Sequence, residues 1–154
     1  MHRAIAPAVM MPSVHKATPV IEFLGGFTVM RNSDWSYTTA SGNTTISWNE
    51  IVWDSGFSLS TPVTTVTAPS GALYCLATVS ARRDTIGADF YEGGFWLNGS
   101  TIKVRNTNDN GDYNKFHTTH LFPITDTDTV AAWFNANADT ALSSGSWFSA
   151  RFYK

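Results

Sequence analysis

Apolar and polar residues alternate in short runs from Phe27 to the end of the chain, and turn-forming residues separate these runs. A period of two residues is typical of β-strands with one buried face. No segment keeps the spacing of three and four residues that an amphipathic helix needs. Strands are predicted at 27–30, 35–39, 44–54, 65–68, 72–79, 88–97, 100–106, 115–124, 130–138 and 146–154. About ten short strands with frequent turns predict an antiparallel all-β sandwich.

Several of these strands and the segments between them support more specific predictions. A single strand over TTISWNEIVWD (44–54) places Ile46, Trp48, Glu50 and Val52 on one face and Trp53 on the opposite face. Asn98-Gly99 is the strongest hairpin signal, because both residue types tolerate the positive φ angles of a two-residue turn. The polar segments 106–114 and 139–145 are predicted to be loops.

The run TVTAPSGALYCLATVSARR (65–83) contains a strand that is apolar on both faces. Tyr74 and Leu76 point to one side, whereas Cys75 and Ala77 point to the other. A sheet with one wet face would alternate apolar and polar residues, so we expect both faces of this strand to be covered. Cys75 is interpreted as a small buried residue, since a lone cysteine excludes a disulfide within one chain.

The first 26 residues differ from the rest of the chain. They hold three of the six prolines and end in Gly25-Gly26, which predicts an extended arm before a domain over 27–154. We expect another subunit to hold this arm, and the alternative is that the arm packs on its own domain. Prolines interrupt its weakly apolar stretch and no cleavage-site pattern follows, so a signal peptide is not expected.

Composition narrows the class of partner. Hydrophobic residues make up 43%, aromatic residues 14% and charged residues only 14% of the 154 residues. A surface with so few charges favours a subunit that packs against neighbours, because the usual charged share is about 25%. The net charge of −2 argues against nucleic-acid binding. No apolar run approaches the roughly 20 residues of a membrane span, so no membrane partner is expected.

Four segments in order resemble motifs of the jelly-roll superfamily that includes the globular head of complement C1q and tumour necrosis factor. They are TVTAPSGALY (65–74), FWLNG (95–99), LFPITDTDTV (121–130) and WFSARF (147–152). Three positions depart from the family pattern. Gly71 lies one place early, Thr127 replaces a glycine, and Ala150 replaces the glycine of the closing strand.

The resemblance implies a ten-strand sandwich that assembles as a homotrimer, with a neighbouring subunit covering the second face of 72–79. Aromatic residues on both faces of the last strand fit this expectation, although they could instead serve only the core of their own domain. The candidate trimer-interface residues are Tyr74, Leu76, Trp147, Phe148, Phe152 and Tyr153.

Residues with catalytic or metal-binding chemistry are sparse. His117 and His120 are three apart on a predicted strand, where they point to opposite faces and do not share an ion. No cofactor or metal site is therefore predicted. Carboxylates for glycoside cleavage could come from Asp84, Asp89, Glu92, Asp109 and Asp112. Candidate glycan-contact residues are Asn108, Asp109, Asp112 and Tyr113.

These observations favour a non-enzymatic structural protein of a virus particle, most simply a bacteriophage head decoration, fibre or spike. It would form a homotrimer bound to other virion proteins such as the major capsid protein. The arm residues expected to anchor it are Ile5, Pro7, Val9, Met10, Pro12, Val14, Pro19 and Ile21. One alternative is a tail-associated adhesin that binds host-surface glycans, and a second is a jelly-roll glycan hydrolase.

Overall fold

The structure is a computed structural model that describes residues 20–83, 91–108 and 115–154. The described residues form strands joined by turns and one short 3-10 turn. The strands are β1 (Phe23–Met30), β2 (Trp35–Tyr37), β3 (Thr44–Thr45), β4 (Glu50–Ser55), β5 (Val66–Thr67), β6 (Tyr74–Arg82), β7 (Tyr91–Leu97), β8 (Thr101–Asn108), β9 (Lys115–Pro123), β10 (Thr129–Ala136), β11 (Thr140–Leu142) and β12 (Trp147–Tyr153). None of the described segments is a helix long and apolar enough to cross a membrane.

Two antiparallel sheets form the sandwich, which confirms the predicted fold class. The first sheet has the strand order β4-β1-β12-β6-β9, and the second has the order β3-β10-β7-β8 with β5 also paired to β10. A small third sheet joins β11 to β2. Strands from both ends of the chain are neighbours in the first sheet, so the sequence order of the strands is not their spatial order.

Aromatic side chains join the two sheets. Phe95 of the second sheet lies 6.0 Å from Phe148 and 6.4 Å from Phe122 of the first, measured between ring centroids. Phe116 stacks on Phe134 at 6.2 Å. Aromatic pairs at such distances add to the stabilisation that burial of their surface provides. Cys75 is fully buried in the same core, as predicted.

The single strand predicted over 44–54 is wrong. β3 belongs to the second sheet and β4 to the first, so the chain crosses between sheets at Ile46–Trp48. Ile46 and Trp48 are buried there, whereas Val52 is 54% exposed on β4. The guanidinium of Arg31 donates a 2.7 Å hydrogen bond to the Ser47 carbonyl and holds the crossing in place. The alternation continues through the crossing, which is why the pattern concealed it.

Three predicted boundaries also differ. β1 begins at Phe23, so residues 23–26 of the predicted arm belong to the sandwich, where Gly26 pairs with Arg151. β8 continues to Asn108 through part of the predicted 106–114 loop, and Thr140–Leu142 forms a strand inside the other predicted loop. In each case pairing with a partner strand outweighs a local preference for turns.

The predicted hairpin at Asn98-Gly99 is confirmed, with φ angles of 54° and 72°, but its loop has three residues rather than two because Leu97 pairs with Thr101. Its tip is tied to the turn before β10. Asn98 Nδ2 donates to Asp128 Oδ1 at 2.7 Å, and the Thr129 N–H donates to Asn98 Oδ1 at 2.9 Å. Asp128 also accepts the Thr125 N–H at 2.8 Å. Two of the motifs that carry the family resemblance therefore meet in space.

Candidate functional site

The first sheet has one side packed on the second sheet and another turned away from it, which we term the outer face. Strand register aligns the residues of the outer face in rows across β1, β12, β6 and β9. From one end to the other, the rows are Phe23, Tyr153, Tyr74 and Pro123; Gly26, Arg151, Leu76 and Leu121; Thr28, Ser149, Thr78 and Thr119; and Met30, Trp147, Ser80 and His117.

One end of the outer face is apolar, and we call it the apolar end. Leu121 is 56% exposed and Tyr74 is 49% exposed, although both are large and apolar or aromatic. The ring of Phe23 stacks against the indole of Trp53 on the edge strand β4, with 6.4 Å between the ring centroids. Its centroid lies 5.8 Å from that of the Tyr153 ring. A groove of about 470 Å³ lies here, lined by Ile21, Tyr74, Leu76, Leu121, Tyr153 and Lys154.

The rest of the outer face is more polar. The hydroxyls of Thr78 and Thr119 are hydrogen-bonded at 3.0 Å in the row of small hydroxyl residues. At the far end, the rings of His117 and Trp147 meet edge to face at 6.0 Å. A second groove of about 500 Å³ runs across this region, lined by Thr28, Met30, Val52, Leu76, Thr78, Gly145, Trp147, Ser149 and Arg151.

The candidate interface residues separate into two groups. Tyr74, Leu76, Trp147 and Tyr153 lie on the outer face. Phe148 and Phe152, which were also predicted there, are instead buried in the sandwich core with exposures of 1% and 0%. Successive residues of a strand point to opposite faces, so β12 cannot present all four of its aromatic side chains on one side.

Sequence reasoning missed several outer-face residues: Phe23, Val52, Trp53 and Leu121. Leu121 had a usable signal, because it stands beside Phe122 in the sequence and adjacent residues of a strand face opposite sides. Phe23 was assigned to the arm, and the exposure of Val52 and Trp53 follows from a register shift between β1 and β4 after Thr28. A bulge of this kind has no clear sequence signature here.

Most of the other predicted site residues fall outside the described residues. These are Ile5, Pro7, Val9, Met10, Pro12, Val14 and Pro19 of the arm, together with Asp109, Asp112 and Tyr113 of the glycan-contact loop. The backbone of Asn108 ends β8, opposite Tyr91. Ile21 is 77% exposed and borders the groove at the apolar end.

Of the candidate hydrolytic carboxylates, Glu92 alone lies in the described residues. It is 1% exposed, and it accepts a hydrogen bond from Asn135 Nδ2 at 3.1 Å. The Tyr37 hydroxyl bonds Asn135 Oδ1 at 2.6 Å, so these groups form a buried network that ties β2, β7 and β10 together. Buried hydrogen-bonded networks of this kind rigidify a core. Glu92 is not positioned to meet a glycan from solvent.

Among the described residues, His117, His120 and Cys75 do not form a metal site or a catalytic group. Register places His117 and His120 on opposite faces of β9, as predicted, where His120 stacks on Phe122. The described residues hold no group of three His, Cys, Asp or Glu that could bind a metal ion. Burial raises the pKa of the Cys75 thiol to about 12, which keeps it protonated and unreactive near neutral pH.

Comparison with known proteins identifies the fold. No protein-family model matches the chain, and no curated protein matches it. The crystal structure of murine APRIL at pH 8.5 matches with a TM-score of 0.62 and 15% identity over 83% of this chain and 98% of that chain. The globular domain of the zebrafish complement 1qA protein matches with a TM-score of 0.55 and 10% identity over 84% and 95% of the respective chains.

At these identities the likeness shows the fold alone. The two matched structures represent the tumour necrosis factor and complement C1q branches to which the sequence motifs pointed. This chain has the antiparallel jelly-roll sandwich that those branches share.

Proposed function

We propose that this chain is a non-enzymatic structural protein that assembles as a homotrimer through the outer face of its first sheet. One observation carries the proposal. Among the side chains that the structure describes, which leave out those of Tyr91 and of 101–108, the large apolar ones left exposed all lie in the first sheet or directly beside its strands: Val20, Ile21, Phe23, Val52, Trp53, Leu73, Tyr74 and Leu121.

The location of this surface favours burial against further copies of the chain. The exposed face of an antiparallel sheet is normally polar, and contiguous apolar patches on soluble proteins mark interaction sites. Symmetric closed assemblies are the usual way in which identical chains cover such a patch. The number three comes from the family resemblance.

We place the trimer on a virus particle as a decoration, fibre or spike. Residues 1–19 join the domain at the apolar end, where the Glu22 N–H donates to the Lys154 carbonyl at 3.0 Å and the Lys154 N–H donates back at 2.9 Å. This pairing holds Glu22 next to Lys154, so residues 1–19 connect to the domain beside the last residue of the sequence. Three such segments, projecting from one trimer, would multiply weak contacts with the capsid through their high effective concentration.

A truncation separates assembly from anchoring. The deletion must remove residues 1–19 only, because residues 23–26 are part of β1. We expect native mass measurement to give three times the 16.9 kDa chain mass for the full chain, and the corresponding threefold mass for the truncated chain. Cosedimentation with capsids assembled from the major capsid protein of the same genome should succeed for the full chain and fail for the truncated one.

Each result bears on a different part of the proposal. A single-chain mass for the full-length protein would contradict self-association. Trimers that bind capsids equally well with and without residues 1–19 would contradict the anchoring role. Trimers that do not bind capsids but do bind host-surface glycans would favour the adhesin function over the decoration function.

A further inference from the structure

Arg151 carries a positive charge on the outer face, beside a glycine that leaves space for its side chain. Arg151 stands in the row between Gly26 and Leu76. A Cβ at position 26 would come within 3.1 Å of Arg151 Cγ and 3.0 Å of Trp53 Cζ3. The Ala150 carbonyl oxygen would be closer still, at 2.7 Å, so a glycine at position 26 suits both the backbone of β12 and the packing of the Arg151 stem beside the indole of Trp53.

Arg151 borders the 500 Å³ groove, together with the hydroxyl residues Thr28, Thr78 and Ser149. Within the described part of the chain, the Arg151 guanidinium makes no hydrogen bond or ion pair. Its fork of donors and the neighbouring hydroxyls match the acceptors of a phosphate, sulfate or carboxylate group. Met30, Val52 and Trp147 also line this groove, and we call these three residues its apolar wall.

The strands of the first sheet around Arg151 supply no carboxylate that could pair with its guanidinium. Strands β1, β6, β9 and β12 contain Arg82, Lys115 and Arg151 but not one acidic residue. The acids of the sheet are both on the edge strand β4. Asp54 accepts the N–H groups of Phe57 and Leu59, and Glu50 lies opposite Met30, two strands from β12.

We propose that the groove beside Arg151 binds an oxyanion, and that the assembled protein requires this anion on its outer face. The inference rests on the proposed self-association, because an exposed arginine is solvated by water and needs no counterion. Once copies pack through the outer face, each brings a guanidinium into the contact, and the strands β1, β6 and β12 around it supply no carboxylate. A buried charge without a partner is strongly destabilising, and a bound anion removes that cost.

The oxyanion could be an inorganic ion from solution or the acidic group of a larger ligand such as a uronic acid. The two sources share the same chemistry at Arg151 but differ at the apolar wall. A sugar ring would add contacts with Trp147, whereas an inorganic ion would leave that part of the groove to water.

Calorimetric titration of the full-length protein tests the site. Sulfate, phosphate, glucuronate and neutral glucose are each added at constant ionic strength, to the wild type and to Arg151→Met. Arg82→Met is the matched control, since it removes the same charge from the same face about 20 Å further along β6. We expect Arg151→Met to weaken oxyanion binding at least tenfold and Arg82→Met to change it less than twofold.

Sedimentation of the wild type and of each variant gives the mass of the assembly, and binding and mass together distinguish the outcomes. Trimers that bind glucuronate at least tenfold more tightly than sulfate support an organic acid, and equal binding supports an inorganic ion. A wild-type trimer without oxyanion binding, or equal losses in the two variants, overturns this inference alone. A protein that remains a single chain both with and without each oxyanion overturns it together with the proposed function.

Discussion

At the level of individual residues, β6 shows how one strand serves two environments. Its odd-numbered positions, including Cys75 and Val79, are fully buried between the sheets. Its even-numbered positions, including Tyr74 and Leu76, lie on the outer face. Burial without a polar partner disfavours the thiolate and raises the pKa of Cys75 from its ordinary 9.0 to about 12.

This shift makes the stability of the fold depend on alkaline pH. Because the folded-state pKa is raised, the contribution of the thiol is complete below pH 9 and is lost as pH rises towards 12. In urea unfolding between pH 8 and 11, the wild type should lose stability more steeply than Cys75→Ala, by up to about 1.4 kcal/mol per pH unit. Parallel pH profiles for the two proteins would contradict the buried-thiol assignment.

The same alternation explains which residue assignments were within reach of the sequence. The alternation predicted that Cys75 is buried and that both faces of the strand over 72–79 are covered. It could not divide the aromatic residues of β12, because Trp147, Phe148, Phe152 and Tyr153 make both faces apolar. Only the packing of Phe148 against Phe95, Phe27 and Trp48 reveals which face is the core.

At the level of elements, hydrogen bonds between turns fix how the hairpin of β7 and β8 meets the rest of the fold. Asp128 accepts one bond from Asn98 at the hairpin tip and one from the Thr125 N–H in its own turn. Asn98 has a positive φ and returns a bond to the Thr129 N–H. The turn and the tip therefore constrain each other.

Removing the Asp128 carboxylate should loosen this connection. Asp128→Ala leaves the Asn98 amide and the Thr125 N–H without their acceptors, and each lost hydrogen bond to a charged group costs about 1.5–3 kcal/mol. Solvent at this exposed turn will reduce the sum, so we expect a loss of about 1–3 kcal/mol in urea unfolding. Asp126→Ala is the control in the same turn and should change stability by less than about 0.5 kcal/mol. Equal effects of the two substitutions would contradict the pairing.

Element boundaries were predictable where local turn chemistry and pairing agree. Asn98-Gly99 specifies its own turn, and the hairpin follows from two residues. The crossing at Ile46–Trp48 has no such signature, because alternation is kept while the strand partner changes from Ala132 in the second sheet to Met30 in the first. Pairing across many residues decides such boundaries, and a single chain segment does not encode it locally.

At the level of the whole molecule, the exposed apolar side chains that the structure describes gather on the outer face and beside it. The central strands of that face carry only positive charges. The apolar end and the Arg151 groove share Leu76, so any partner that covers one approaches the other. Self-association and anion binding are therefore expected to be coupled, each favouring the other.

A charge at the apolar end should separate assembly from folding. Leu121 is 56% exposed in the isolated chain, so Leu121→Arg should fold with near-normal stability. In the trimer it would bury a new cation on a face whose central strands have no acid, which should shift sedimentation equilibrium from the threefold mass to the mass of one chain. Thr67→Arg, an exposed position on β5 of the second sheet, should remain trimeric. If Leu121→Arg stays trimeric while Thr67→Arg dissociates, the subunits meet through the second sheet instead.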